Sequence, residues 1–199
     1  AQLGPPLLIM TTIRLGTRPP CERTLESFAA HAACRINHGF FPGGPRAEQD
    51  LRVIEVSGAL GRGHSCYRRA RHLLLEWQMH SGSPNTGVWT DGKVDGPLVT
   101  WAALAPCVWV LNPCRVLPSR LLGTHRHSAV VGYATARGHW IAGFEQMTVR
   151  LGTDGEVRFE VRSCSRGSGP VGRIIFPLLA PAQHRFFREQ VRCMQRALK

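Results

Sequence analysis

The chain has 199 residues, 43% of them hydrophobic, and a formal net charge of +12. That length suits one large domain, or one of about 150 residues with an extension, and the apolar fraction is ordinary for a folded protein. The longest uncharged apolar run, 97–113, is broken by Pro106 and falls short of the ~20 residues a membrane span needs, so a soluble protein without a transmembrane span is expected.

The first 49 residues differ from the rest. They carry Pro5, Pro6, Pro19, Pro20, Pro42 and Pro45 with Gly39, Gly43 and Gly44, and no acid precedes Glu22 although Arg14 and Arg18 do. This composition predicts a poorly structured extension that folding can spare, compatible with an organellar transit segment. Within it, Leu25, Phe28, Ala29 and Ala32 recur at helical spacing and suggest a short helix over 22–35. The main domain is expected over 50–199.

From residue 51, LRVIEVSG reads as a short strand. A helix near 64–80 follows, its stripe being Tyr67, Ala70, Leu74 and Trp77. Strands are then expected at 86–91, 97–104, 107–111, 115–117 and 128–137, with turn residues between them. The hairpin that follows is the most informative segment. Counting by twos, Glu145, Met147, Val149 and Leu151 share one side, and Gln146, Thr148 and Arg150 the other. Gly152-Thr153-Asp154-Gly155 supplies the turn. The return strand alternates Val157, Phe159 and Val161 against Arg158, Glu160 and Arg162. A carboxylate on an apolar sheet face costs several kcal/mol unless it is paired, protonated or wet. Glu145 therefore points to a cavity rather than a solid core. The chain closes on a long helical pattern with Phe186, Phe187, Val191, Met194 and Leu198 at threes and fours, its first part kinked or delimited by Pro177 and Pro181. Strands in series with one long C-terminal helix predict α+β: a curved antiparallel sheet gripping that helix.

Two compositional features narrow the function. Of 25 basic residues only Lys93 and Lys199 are lysines. Arginine richness reflects either compositional bias or an electrostatic footprint for nucleic acid or an anionic membrane. No four basic residues are consecutive, the densest patch (Arg68, Arg69, Arg71, His72) sits on one helix, and no nucleic-acid motif is present, so nucleic acid is disfavoured. The seven cysteines include no C-x-x-C pair, which disfavours zinc and suits a reducing compartment. No metal or cofactor is expected. The location expected is cytoplasmic, or a plastid or other organelle if the N-terminal segment is a transit peptide.

LGRGHSCYRRA, PCRV, GYATARGH, GFEQ, GEVRFEVRSCSR and the helix from Gln183 to Leu198 occur in the order seen in uncharacterised protein family 0548 (the DUF1990 domain), found in bacteria and plants. The chain resembles this family over about Asp50 to Leu198. It departs from it where Gly143-Phe144-Glu145 keeps one acid of a usual two, and where Gly167 replaces a usual proline. The resemblance implies a fold similar to the START or Bet v 1 helix-grip group, whose members bind lipids, hormones and polyketides, and it implies no assigned activity.

The function expected is a binding module whose cavity holds a small apolar ligand, lipid-like or isoprenoid- or polyketide-like, contacted by Glu145, Arg115, Tyr133, His139 and Arg166. In the alternative, Glu145 is the acid/base of a cyclase- or hydrolase-type enzyme, desolvation raising its pKa. The plainer reading pairs Glu145 with Arg115 or Arg166 as a buried ion pair. A third alternative uses the arginine-rich surface for nucleic acid or an anionic membrane.

Overall fold

The computed structural model describes residues 12–31, 36, 51–81, 83–118 and 127–199. They form β1 (Thr12–Leu15), α1 (Glu22–His31), β2 (Arg52–Arg62), α2 (Gly63–Leu75), a 3-10 turn (Gln78–His80), β3 (Thr86–Thr90), β4 (Pro97–Ala105), β5 (Val108–Val116), β6 (Ser128–Thr135), β7 (Ile141–Leu151), β8 (Glu156–Gly167) and α3 (Gly169–Leu198). The strands build one antiparallel sheet in the order β2-β8-β7-β6-β5-β4-β3, with β1 paired to β5. β7 and β8 pair without a register shift from Ile141↔Gly167 to Leu151↔Val157. The parity of the hairpin therefore survives intact from the sequence into the sheet.

One face of the sheet grips the helices. Met147, Val149, Val157, Phe159 and Val161 meet Ala70 and Leu74 of α2, Met79 of the 3-10 turn, and Phe187, Val191 and Met194 of α3 in one buried cluster. Helix and sheet approach closely at Gly58, where an added Cβ would lie 2.5 Å from the Val191 Cγ1. The opposite, outer face carries a second cluster that includes Val130, Ala134, Phe144 and Cys164. α1 covers a third, with Leu25 and Ala29 buried over Val99, Trp109 and Leu111. Among the described residues, no helix is long and apolar enough to cross a membrane.

Several expectations need correction. The two short strands at 107–111 and 115–117 are one strand, β5, which runs through Pro113. β1 pairs residues 108–111 and β6 pairs residues 114–116 along the same edge. The missing proline N–H thus falls where the neighbour changes. The helix expected to reach residue 80 ends at Leu75, because Trp77 adopts a left-handed backbone at φ 55° that breaks the α-helix. The 3-10 turn beyond it buries Met79 and His80. Pro177 and Pro181 neither end nor delimit α3, which is helical through both. Both are exposed, so water reaches carbonyls that lose a helical partner. Nor is the segment before residue 50 without structure where it is described. β1 joins the sheet, α1 buries two side chains, and the Trp109 indole donates to the Gly16 carbonyl at 2.8 Å. The short helix suggested by the spacing of Leu25, Phe28 and Ala29 is present as α1, and what the sequence hides is its partners, which are distant along the chain.

Phe187 is fully buried at the centre of the gripped helix face. Phe187→Ala is expected to cost ~3–5 kcal/mol in denaturant unfolding, the usual range for emptying a buried aromatic site.

Candidate functional site

The register across β6, β7 and β8 sets Tyr133 opposite Glu145 and Glu145 opposite Ser163. Directly opposed residues share a sheet face, so all three point toward the helices. The Tyr133 hydroxyl donates a hydrogen bond to the Glu145 carboxyl. Burial pushes the Glu145 pKa up to about 7, against the lowering effect of that bond. Burial, and then the Glu145 charge, hold the Tyr133 phenol well above its ordinary range. Glu145 itself is only half-buried, so the pair sits at the edge of the packed interior.

Aromatic side chains lead away from the pair. The Trp77 ring lies 6.1 Å from Tyr133 and stacks on His80 at 6.4 Å; His80 lies 5.6 Å from Phe186, which is 5.6 Å from Phe187. His80 is 5% exposed, neither ring nitrogen has a hydrogen-bond partner, and burial lowers its pKa to about 3. Ser163 is 1% exposed and Gln190 of α3 2% exposed, and neither the Ser163 hydroxyl nor the Gln190 side-chain amide has a protein partner. Buried polar groups are normally hydrogen-bonded. Ser163 is directly opposite Glu145, so an unsatisfied hydroxyl beside that carboxyl marks a place where a bound molecule or water would complete it.

Of the residues expected to line the site, the structure brings together Glu145 and Tyr133 and places the others elsewhere. Arg115 is opposite Ala134, on the outer face, and its Nε bonds the Asp95 carboxylate at 2.8 Å. Arg166 is opposite Ala142 and exposed, also on the outer face. Neither reaches Glu145 through the sheet, so a buried ion pair with either is not formed. His139 lies in the turn between β6 and β7, where its Nδ1 accepts the Ile141 N–H at 2.9 Å. The arginine that does share the Glu145 face is Arg52, opposite Ser165 in the neighbouring row. It stacks over Phe176 at 3.8 Å and donates to the Phe176 carbonyl.

Periodicity could have found two of the missed residues, one by the strand's count of two and one by the helix's count of three. Continuing Val157, Phe159 and Val161 by twos gives Ser163, and the same count sends Arg166 outward. Gln190 is three positions from Phe187 on the buried stripe. His80 leaves no such signal, because its burial depends on the break at Trp77. Among the described residues, no group of three or more His, Cys, Asp or Glu side chains could hold a metal ion.

A family model described as a domain of unknown function, DUF1990, matches residues 42–193. The chain belongs to this family. A DUF1990 relative in curated sequences, the UPF0548 protein At2g17695 of Arabidopsis thaliana, is 26% identical over 137 residues, which is 65% of this chain and 64% of the plant protein. The chain thus spans less than two thirds of that relative's length. Among solved structures, the DUF1990 chain is similar to hypothetical protein jhp0584 from Helicobacter pylori, with a TM-score of 0.52, 10% identity, and coverage of 78% of this chain and 91% of that one. It is similar to truncated norcoclaurine synthase from Thalictrum flavum at a TM-score of 0.50, 10% identity, and coverage of 80% and 96%. At these identities the likeness is one of fold: an antiparallel sheet packed around a long C-terminal helix.

The raised Glu145 pKa gives a signed prediction. A carboxyl that holds its proton more tightly when folded stabilises the protein below its ordinary pKa of 4.5 and loses that contribution as pH rises to about 7. Wild-type stability should therefore fall by about 1–3 kcal/mol across that window relative to Glu145→Gln, whose amide does not titrate. Urea midpoints of both proteins between pH 4 and pH 8 measure the difference.

Proposed function

We propose that the protein is a binding module that takes a small, largely apolar ligand between the gripping face and the helices, with the Glu145–Tyr133 pair receiving the ligand's polar group. The observation that carries this reading is the half-buried carboxyl bonded to a tyrosine hydroxyl, with the unsatisfied Ser163 directly opposite it in the sheet. Folding removes these groups from water at a cost of about 1–3 kcal/mol each when they stay unpaired. An apolar strip with a few convergent polar groups is the usual composition of a small-molecule site. Norcoclaurine synthase, which shares the fold, is by its name an enzyme, and fold alone does not extend that to this chain.

A second reading makes the same carboxyl an acid/base. A pKa of about 7 leaves Glu145 able both to give and to take a proton near neutrality, which supports a catalytic use once a ligand with an exchangeable proton is found. The arginine-rich sheet surface gives less support to phosphate binding, because Arg150, Arg158, Arg162 and Arg115 pair with Glu160, Glu156, Glu55 and Asp95.

With both candidate arginines on the other face, removing Glu145 strands no buried cation. Glu145→Ala and Glu145→Gln should each change stability at pH 5 by less than about 1.5 kcal/mol, rather than the ~3–5 kcal/mol of a broken buried pair. Native mass spectrometry of purified wild-type protein should show one copurifying small molecule per chain, lost in Glu145→Gln and Tyr133→Phe. A wild-type chain that arrives empty and gains no thermal stability from fatty acids, isoprenoids or polyketides overturns the proposal.

A further inference from the structure

The outward side of α3 changes character along its length. Val171, Ile174 and Leu178 are 46%, 75% and 77% exposed, and their spacing of three and four puts them on one side of the helix. Continuing by threes and fours at ~100° per residue, the same side passes Pro181 and Ala182 and then carries Arg185, Arg188, Arg192 and Arg196. Isolated exposed apolar side chains are ordinary on a protein surface. These three are aligned, and the helix turns they occupy bear one charged residue, Arg173. Along its whole length α3 has five arginines against the single Glu189. Arg192 and Arg196 both reach that carboxylate, at 3.5 Å and 2.7 Å, so the surface keeps a positive excess.

We propose that this side of α3 docks the protein on an anionic lipid surface, with Val171, Ile174 and Leu178 entering the headgroup–acyl boundary and the arginines of the second half lying among the phosphates. The occupant follows from charge. A second copy of the chain would bring another +12 against the same basic surface, whereas a leaflet of acidic phospholipid attracts it, each arginine near such a surface contributing about 1 kcal/mol. An interfacial helix combines an apolar strip with basic residues and lies in the membrane plane without crossing it. α3 meets that description while its opposite side, with Phe187, Val191 and Met194, stays in the core. The docking is independent of the interior ligand, since none of the exposed residues belongs to the Glu145 region.

The test is flotation of the full chain with vesicles of phosphatidylcholine alone and of phosphatidylcholine with phosphatidylserine, at low and raised salt. Wild type should float with the mixed vesicles at low salt, stay behind with the neutral ones, and be released by salt. Ile174→Asp/Leu178→Asp should weaken binding about tenfold or more, as loss of two inserted side chains requires. Both positions are exposed, so the variant should keep the wild-type thermal midpoint, which is measured alongside. Binding that the double variant leaves unchanged would overturn the proposal by reducing it to nonspecific arginine attraction. So would a wild type that ignores the mixed vesicles, or one that sediments as a dimer which the double variant dissolves.

Discussion

The unbroken two-residue alternation across β6, β7 and β8 divides the chemistry of this chain between two environments. From Ile141↔Gly167 to Leu151↔Val157 no bulge intervenes, so every odd-numbered side chain of β7 and β8 faces the helices and every even one faces away. The consequence is a sorting of charge. Arg150, Arg158, Arg162 and Arg166 all fall outside, and Glu145 alone among the acids of these strands falls inside. One inserted residue in either strand would exchange the two sets, driving arginines against Phe187 and Met194. The core, the site and the basic exterior therefore rest on a single register.

Within the gripped face the apolar rows and the polar row are neighbours. Met147 and Val161 are opposite one another, and two residues along, Glu145 and Ser163 are opposite one another. The helix repeats the same sequence of environments, with Phe187 and Val191 flanking Gln190. The chain of rings from Tyr133 through Trp77 and His80 to Phe186 starts at the level of Glu145 and Ser163. Burial raises the Glu145 pKa and the Tyr133 hydrogen bond opposes it, which leaves the value near neutrality.

The sequence made the hairpin, its inward face and Glu145 legible because a β-strand's period of two is a local property. The long C-terminal helix was legible for the same reason, at its own period. What stayed hidden depends on contacts between distant segments. Nothing near Pro113 signals that β5 passes from one neighbour to another there, and nothing near Trp77 signals a left-handed residue that turns His80 inward. Arg115 and Arg166 were candidates for Glu145 by chemistry alone. Applying to Arg166 the count already used for Arg158 and Arg162 would have sent it to the outer face. Arg115 needed the pairing of β5 with β6, which the sequence does not display.

α1 has a consequence for what counts as the unit of this protein. The family match begins at residue 42, whereas Leu25 and Ala29 lie over Val99, Trp109 and Leu111 well before it. The outer surface of β4 and β5 is therefore roofed by a part of the chain that the family does not define. A fragment cut at the family boundary would be complete by homology and incomplete by physics, with an indole and two branched aliphatic side chains turned to water on a sheet that already ends in the open edge β3. Recurrence in evolution and closure of an apolar surface draw different borders here, and it is the second that a folding chain obeys.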